Sequence, residues 1–397
     1  MEPKEKNTSM ENKNDNNCKE KSKNETQSNK DKKGEEKEQE ELNKLEKIKL
    51  PKRKFAIIHG YYGQNYSGNT KNPGVLTVEE ELEKSLYKLK FISECNYGNL
   101  SKINWMRASR TDKGVSAIMN VISAKLHKYP NIDEVEMKNS LNSVLPKDIK
   151  IFRIIEVSNN FDSKDNNNNR EYHYILPTFL LEQKKDEDDK VKENINNKNN
   201  DKEEKFCIPD DYKANYQFRL KEEDINKLKG LCKGFLGTKK YHNYSKKVEF
   251  SQMSSQRHII EMDCDEIIDF GDFQAIKFKL IGQSFLYNQI RKMIGMIIDC
   301  MRNKKDMDYF KNSFLDNQYD IPKAPGEGLY LKNIDYSNYN ERKLNKKNNI
   351  FLTEDDEREM EDFRKQLLQI IKEQELNQKV FTSWLWKLDN RRDLIIN

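Results

Sequence analysis

The chain has 397 residues, of which 35% are charged and 35% hydrophobic, with a formal net charge of +5 and a mean hydropathy of −1.04. A fully globular chain normally contains more apolar and fewer charged residues, so this composition excludes a chain that is packed throughout. No apolar run approaches the ~20 residues that cross a bilayer, and we expect no membrane span.

Two stretches account for most of the low apolar content. Residues 1–50 contain 13 Lys against 13 Asp and Glu, and residues 182–205 contain 7 Lys against 9 acids. Such stretches cannot bury enough apolar surface to offset their chain entropy. We therefore predict a disordered polyampholyte arm at 1–52 and a disordered acidic, Asn-rich insertion at 181–206. The remaining sequence carries the positive charge, which weakly favours a polyanionic partner.

The six cysteines are scattered, with no C-x-x-C pair and no Cys/His spacing suited to zinc. We therefore predict reduced thiols and no metal site. The first residues include neither an apolar secretory core nor an acid-free amphipathic segment, so we expect an intracellular protein.

In chain order, the first predicted element is a buried strand from Lys54 to Tyr62. A helix then runs from Thr77 to Lys90, with Thr77 as its N-cap and Glu80 three residues later, the spacing of a capping box. The later elements of this half are strands at 103–109 and 115–126, a helix at 131–144, and strands at 148–157 and 170–176.

Beyond the insertion, the apolar pattern predicts a helix at 222–234, strands at 257–268 and 273–281, and a helix at 284–301. A charged surface helix is predicted at 352–380, and residues 381–388 are predicted to dock this helix on the rest of the protein. We predict an α+β fold in which two α/β half-domains, 53–180 and 207–337, share a mostly antiparallel sheet with flanking helices. Residues 338–397 form a C-terminal linker and helix.

The short segment Arg110–Val115 (RTDKGV) places one acid between two bases and ends in Gly-Val. Asp and Gly are common turn formers and Arg–Asp pairs are common on surfaces, so the hexamer alone is compatible with an ordinary turn. The flanking residues extend it to Ala108–Ala117, ASRTDKGVSA. This decamer closely resembles the active-site signature of the tRNA pseudouridine synthase A family.

Five further segments resemble the family's motifs in the same order along the chain, so that the resemblance covers about residues 53–337 apart from the insertion. They are GYYGQNYSG at 60–68 with NPG at 72–74, REYHYILP at 170–177, GTKKYHNY at 237–244, SFLYNQIRKMIG at 284–295 and APGEGLYL at 324–331. The sequence after the 170–177 motif is most similar to the eukaryotic multisite tRNA enzymes.

The resemblance implies that uridines in tRNA are isomerised to pseudouridine, without a cofactor or metal, in a central RNA-binding cleft. It implies that Asp112 is the catalytic carboxylate, and sequence leaves open whether Asp112 attacks C1′ or removes a C2′ proton. Arg291 is the implied partner that lowers the pKa of this carboxyl and keeps it ionised. A structural salt bridge with another acid is the alternative for Arg291.

The resemblance implies further roles in binding the substrate. Tyr172 would stack on the uracil, Arg110 would fill the space that the target nucleotide leaves, and Leu329 would wall the pocket, although strand and core positions explain Tyr172 and Leu329 equally simply. Lys113 is assigned to a phosphate. His242, between two tyrosines, is interpreted as a packed structural residue. Asn288 stands where the family often has His, and we expect it to form a hydrogen bond rather than to transfer protons.

Two other classes of function fit part of this sequence. A catalytically silent RNA-binding module would keep the basic cleft, and a glycosidase or base-excising enzyme would normally require a pair of carboxylates. The expected partner is tRNA, with other structured RNA as a further substrate, and the expected state is a monomer. The basic run PKRK at 51–54 suggests a nuclear signal, with mitochondrion and cytoplasm as the alternatives.

Overall fold

The computed structural model describes residues 50–184, 212–246, 248–342 and 348–390. All the described helices and strands belong to one compact unit, which begins at Lys52. The predicted disordered arm, as far as residue 49, and the part of the predicted insertion from residue 185 onward lie outside the described residues. No helix in the described ranges is long and apolar enough to cross a membrane.

The strands of the described residues are numbered β1 to β9 in chain order. They are β1 Lys52–Tyr61, β2 Met106–Arg107, β3 Ser116–His127, β4 Ile149–Glu156, β5 Asn169–Pro177, β6 Gly237–Lys240, β7 Gln256–Asp269, β8 Gln274–Gly282 and β9 Leu329–Asp335. The helices of the same residues are α1 Val78–Lys88, α2 Glu134–Val144, α3 Glu222–Phe235, α4 Gln289–Arg302, α5 Met307–Asn312, α6 Ser337–Arg342, α7 Glu354–Gln378 and α8 Val380–Asp389.

The described strands form a single sheet in the order β4-β1-β3-β9-β5-β8-β7-β6, with β2 paired to β3. All the pairings are antiparallel except that of β3 with β9, which is parallel. The predicted α+β fold with a mostly antiparallel sheet and flanking helices is confirmed. The sheet is continuous because β9, from the C-terminal half of the chain, lies between β3 and β5.

Local sequence explains where several of these elements begin. Thr77 caps α1 by accepting a hydrogen bond from the Glu80 N–H at 3.4 Å, and three glutamates occupy the first turn, where the helix dipole favours negative charge. The apolar run of β1 is buried, and β3 and β4 pair with its two edges, which places β1 in the interior of the sheet. The predicted positions of these two elements are correct to within about two residues.

The predicted helix at 284–301 begins later than expected. Asn288 has a left-handed backbone with φ of 62°, and α4 begins only at Gln289. The turn before it is closed twice, by the Leu286 N–H donating to Gln289 Oε1 at 2.7 Å and by the Gln289 N–H donating to the Leu286 carbonyl at 3.1 Å. The apolar pattern continues through Phe285 and Leu286, which is why it predicted a longer helix.

Two other predicted boundaries are corrected. The predicted strand at 103–109 is reduced to the two residues of β2, because Leu100–Ile103 form a 3₁₀ helix and the chain leaves the sheet after Arg107. Residues 181–184, predicted as the start of the insertion, pack on the fold: Leu181 is buried, and the Glu182 carbonyl accepts a hydrogen bond from Arg302 Nη1 at 2.9 Å.

The C-terminal helices α7 and α8 lie against the rest of this unit. Phe363 of α7 stacks on Tyr62 with ring centroids 4.0 Å apart, and Trp384 of α8 donates through Nε1 to the Lys323 carbonyl at 2.8 Å. The segment predicted to dock at 381–388 is therefore helical and packed, with Phe381 and Leu385 also buried.

Candidate active site

A cleft of about 600 Å³ opens at the centre of the sheet, and its volume is within the range of pockets that hold small ligands. Its walls are the segment that leads into β3, the segment that leads into α4, and parts of β5 and β9. The lining residues are 106–112, Val115, Lys164, Arg170, Tyr172, 284–291 and Leu329.

Five of the six predicted site residues line this cleft. They are Arg110, Asp112, Tyr172, Arg291 and Leu329. Lys113 is exposed and does not belong to the lining, because the chain turns at Lys113–Gly114. The roles assigned to all six stay predictions, and the geometry below describes what their positions allow.

The loop that carries Asp112 is held by side chains from distant elements. The amides of Asn69 and Asn120 donate to the Ser109 carbonyl at 2.9 and 3.1 Å, and Asn69 Oδ1 accepts from the Thr111 N–H at 3.0 Å. The Tyr61 hydroxyl lies 2.8 Å from Thr111 Oγ1. These bonds replace the sheet pairing that the loop lacks, so its shape does not depend on its own turn alone.

A tight turn follows Asp112 and directs the chain into β3. The Val115 N–H donates to the Asp112 carbonyl at 3.1 Å, and Gly114 has φ of +80°, the left-handed region that glycine adopts without strain. A Cβ on Gly326 would lie 2.8 Å from the Lys113 carbonyl oxygen. The turn therefore packs closely on the segment that enters β9, which runs parallel to β3.

Arg291, on the first turn of α4, is fixed beside Asp112. Its Nε donates to the Ala324 carbonyl at 2.7 Å, while the Ala324 N–H donates to the Arg291 carbonyl at 3.1 Å. Its Nη1 then lies 3.9 Å from Asp112 Oδ2. The predicted pairing of the two side chains is therefore present, as an ion pair at the long end of the contact range.

The ionisation of Asp112 differs from the prediction. Arg291 and Lys323 each act to lower the pKa of this carboxyl, as expected of nearby cations, but burial raises it by more. The pKa of Asp112 is therefore raised above its ordinary value. Sequence could not show this, because the extent of desolvation depends on the walls that the tertiary fold builds around the carboxyl.

Tyr172 is buried and its hydroxyl is held in place. The hydroxyl lies 2.6 Å from Ser109 Oγ, and the ring meets Phe285 edge to face, with centroids 5.3 Å apart and planes at 82°. Arg170 joins the two walls, since its Nη2 donates to the Ala108 carbonyl at 2.8 Å and its Nη1 to the Gln283 carbonyl at 2.6 Å.

The cleft is strongly basic. Its lining includes five cationic side chains and one acidic side chain, Asp112; the cations are Arg107, Arg110, Lys164, Arg170 and Arg291. Arg107 is paired with the buried Glu79, whereas Arg170 bonds to carbonyls and forms no ion pair with another described residue. A cleft of this kind suits phosphate groups. In the described ranges, no group of three or more His, Cys, Asp or Glu side chains could hold a metal ion.

Two residues discussed from sequence have different surroundings. Asn288 lines the cleft, and its Oδ1 is buried without a hydrogen-bond partner among the described residues, so the hydrogen bond expected of this side chain stays a prediction. The left-handed backbone is a sufficient reason for Asn here, since Asn and His tolerate that region better than most residues. His242 lies outside the cleft lining and packs edge to face on Phe250, as interpreted from sequence.

Sequence reasoning missed the residues that hold the site together. Ser109, Arg170 and Ala324 lie inside the motifs, so the motifs were a signal that could have found them. Asn69 and Asn120 carry no local signal, because their partners lie far away in the sequence.

Comparison with known proteins identifies relatives of similar sequence. A family model described as tRNA pseudouridine synthase matches residues 231–337. "Pseudouridylate synthase 1 homolog" of Mus musculus is 31% identical over 299 residues, which covers 74% of this chain and 63% of the relative. The Homo sapiens protein of the same name is 31% identical over 292 residues, covering 72% and 61%. "tRNA pseudouridine synthase 1" of Saccharomyces cerevisiae is 29% identical over 347 residues, covering 74% and 63%.

The chain thus spans less than two thirds of the length of these relatives. The matched region includes Arg291, Leu329 and the Ala324 segment, which build one wall of the cleft. On these matches, the chain is similar to tRNA pseudouridine synthases, in the case of the mouse protein over 74% of the chain's length.

Proposed function

We propose that this protein isomerises specific uridines of tRNA to pseudouridine and that the carboxylate of Asp112 performs the chemical step. The observation that carries the proposal is a single, partly buried carboxyl, 3.9 Å from the Arg291 guanidinium, in a cleft whose other charged lining residues are all cations. The names of the relatives, which refer to pseudouridine synthases and in several cases to tRNA, support the same reaction and substrate.

The reaction requires few groups. It breaks the N1–C1′ bond of uridine, turns the uracil while it stays bound, and joins C5 to C1′; C5 loses its proton and N1 gains one, with no net redox change and no hydrolysis. One carboxylate beside the ribose can serve either route at the sugar, attack on C1′ or removal of the C2′ proton, because both routes use its ionised form. Arg291 favours that form and burial opposes it, so the free enzyme holds Asp112 as a more basic carboxylate than usual.

The other cleft residues suit binding of a flipped nucleotide. The ring of Tyr172 is a flat apolar surface against which a uracil could rotate, and Leu329 adds an apolar wall. Arg110 is exposed in the lining and can enter the space vacated in the RNA stack. The exposed position of Lys113 outside the lining suits contact with a phosphate.

The single carboxylate favours an isomerase over a glycosidase, which normally places two carboxyl groups around the scissile bond. Conversion of uridine also distinguishes an enzyme from a silent RNA-binding module, which would bind tRNA without changing it. The test is to incubate the pure protein with a tRNA transcript and to map carbodiimide-reactive pseudouridine, a conversion that leaves the mass of the RNA unchanged. We expect conversion at discrete uridines.

Three proteins complete the experiment. Asp112→Asn should lose several powers of ten in kcat while its Kd for tRNA changes by about a fewfold at most, because Asn keeps the shape and loses the charge and nucleophile. Asp308→Asn, at an acid with 83% exposure outside the cleft lining, is the matched control and should behave as wild type. Tight binding without conversion by the wild-type protein would favour the silent module.

We further propose a nuclear location and a monomeric state. Lys52 and Arg53 of the basic run are exposed, whereas Lys54 is buried in β1. A fluorescent fusion carrying Lys52→Ala and Arg53→Ala should leave the nucleus if this run is the signal, and light scattering measures the mass in solution.

A further inference from the structure

Tyr287 is a large aromatic side chain that the fold does not use. Its exposed fraction is 62%, against 6% for Tyr172 in the same cleft. Among the described residues, its ring has neither an aromatic partner nor a hydrogen bond from its hydroxyl. A tyrosine ring exposed to this extent contributes little packing energy to the folded chain.

The backbone that carries this ring is fixed on both sides. The Tyr287 carbonyl accepts a hydrogen bond from Ser245 Oγ at 3.0 Å, and the next residue, Asn288, has the left-handed φ of 62°. Gln289 closes the same turn by its two bonds with Leu286. The ring is therefore presented from a rigid turn, which lowers the entropy cost of binding against it.

The surroundings of Tyr287 indicate what binds there. Tyr287 lines the same cleft as Asp112, and the cleft lining has five cations and one acid. An aromatic ring beside a basic groove is the combination by which proteins bind unpaired nucleotides, since cations hold the phosphates and the ring stacks on a base.

We propose that Tyr287 forms a second nucleobase subsite at the rim of the cleft, where it stacks on a base next to the target uridine. The inference deepens the proposed function and rests on it, because the target uridine defines the neighbouring base. The subsite is separate from the buried Tyr172, which is too enclosed to bind more than the target base.

The experiment measures Kd for a tRNA transcript whose converted uridine has been mapped with the wild-type protein. Tyr287→Ala should weaken binding roughly 5- to 100-fold, the range for loss of one base–aromatic stack. Tyr287→Phe keeps the ring face and should bind within about twofold of wild type. Tyr97→Ala removes a tyrosine with 40% exposure outside the cleft lining and should leave Kd unchanged.

A second change, in the RNA, identifies the base. Transcripts with an abasic site immediately before or after the target uridine are compared on the wild-type protein and on Tyr287→Ala. One abasic position should weaken wild-type binding by the same factor as Tyr287→Ala and have little further effect on that variant, because both changes remove the same contact.

Additive losses at both positions, or unchanged binding by Tyr287→Ala, would overturn the subsite while conversion by the wild-type protein left the proposed function intact. If the wild-type protein converts no uridine in any tRNA transcript, the proposed function itself is overturned, and the subsite with it. Thermal melting of Tyr287→Ala should match wild type, since its ring is exposed.

Discussion

Removal of the positive charge of Arg291 should shift the pH dependence of the reaction rather than only slow it. The Arg291 Nη1 lies 3.9 Å from Asp112 Oδ2, and both side chains are largely buried, with exposures of 13% and 24%. Arg291→Gln keeps a polar side chain of similar direction and removes the charge. The pKa of Asp112, already raised by burial, should rise further.

The size of this shift follows from the distance. Opposite unit charges about 4 Å apart interact with about 4 kcal/mol at the effective dielectric constant of about 20 that suits protein sites. One pKa unit corresponds to about 1.4 kcal/mol, which makes about three units the upper limit. Lys323 remains and also lowers the pKa of Asp112, so we expect a shift of about one to three units.

The direction in which the pH dependence shifts is determined by which protonation state of Asp112 reacts. Because the ionised carboxylate is active and a raised pKa keeps the proton bound to a higher pH, the acid limb of the rate should move to higher pH. Activity that Arg291→Gln loses at neutral pH should be partly recovered in alkaline buffer. Single-turnover pseudouridine formation, measured from about pH 5 to about pH 10, gives this limb directly.

Arg291→Lys is the matched control. It loses the Nε hydrogen bond to the Ala324 carbonyl, as the Gln variant does, but it keeps a positive charge. Its acid limb should therefore move less than that of Arg291→Gln, even if its maximal rate is equally low. If both variants are slowed by the same factor at every pH and neither limb moves, Arg291 acts only through structure and the electrostatic reasoning is wrong.

Three further outcomes are expected. Because the pKa of Asp112 is raised in the fold, the stabilising contribution of this carboxyl is complete below its unfolded-state pKa and is lost as pH rises through its folded-state pKa. Asp112→Asn should therefore melt at a higher temperature than wild type at neutral pH, and the difference should disappear in acid. A lower melting temperature at neutral pH would contradict the burial argument. Trp384→Phe removes the 2.8 Å hydrogen bond to the Lys323 carbonyl, and the next residue, Ala324, accepts the bond from Arg291. The variant should lose about 0.5–1.5 kcal/mol of unfolding free energy and some kcat, without a change in Kd. An unchanged kcat would show that α8 does not influence the site. Binding of tRNA should fall steeply with salt, with a log–log slope between roughly −2 and −4 from several phosphate contacts, and a flat response would refute a cationic cleft.

Much of the fold was predictable because its signals are local. The apolar run of β1, the cap at Thr77 and the alternating pattern of β7 and β8 depend on neighbouring residues, and their predicted ranges agree closely with the structure. The helix at 284–301 was predicted too long, because the apolar pattern cannot register the left-handed φ of Asn288. The spacing of apolar residues along the chain carries no information about the backbone conformation of a single residue.

The candidate site was predictable only as a set of motifs. Asp112, Tyr172 and Arg291 were each recognised from their own segments, and five of the six predicted residues meet in one cleft. Their meeting is a consequence of sheet order, since the parallel pairing of Ser116 with Tyr330 brings together two segments that are far apart in the chain.

Sequence by itself therefore identified five residues that meet in the cleft and most of the helices and strands that hold them. Only the tertiary structure decided the direction of the Asp112 pKa, the support of its loop by Asn69 and Asn120, and the exposure of Tyr287 at the rim. Desolvation, long-range hydrogen bonds and solvent exposure depend on distances between residues that are remote in sequence. The tertiary fold sets those distances when the strands assemble into one sheet.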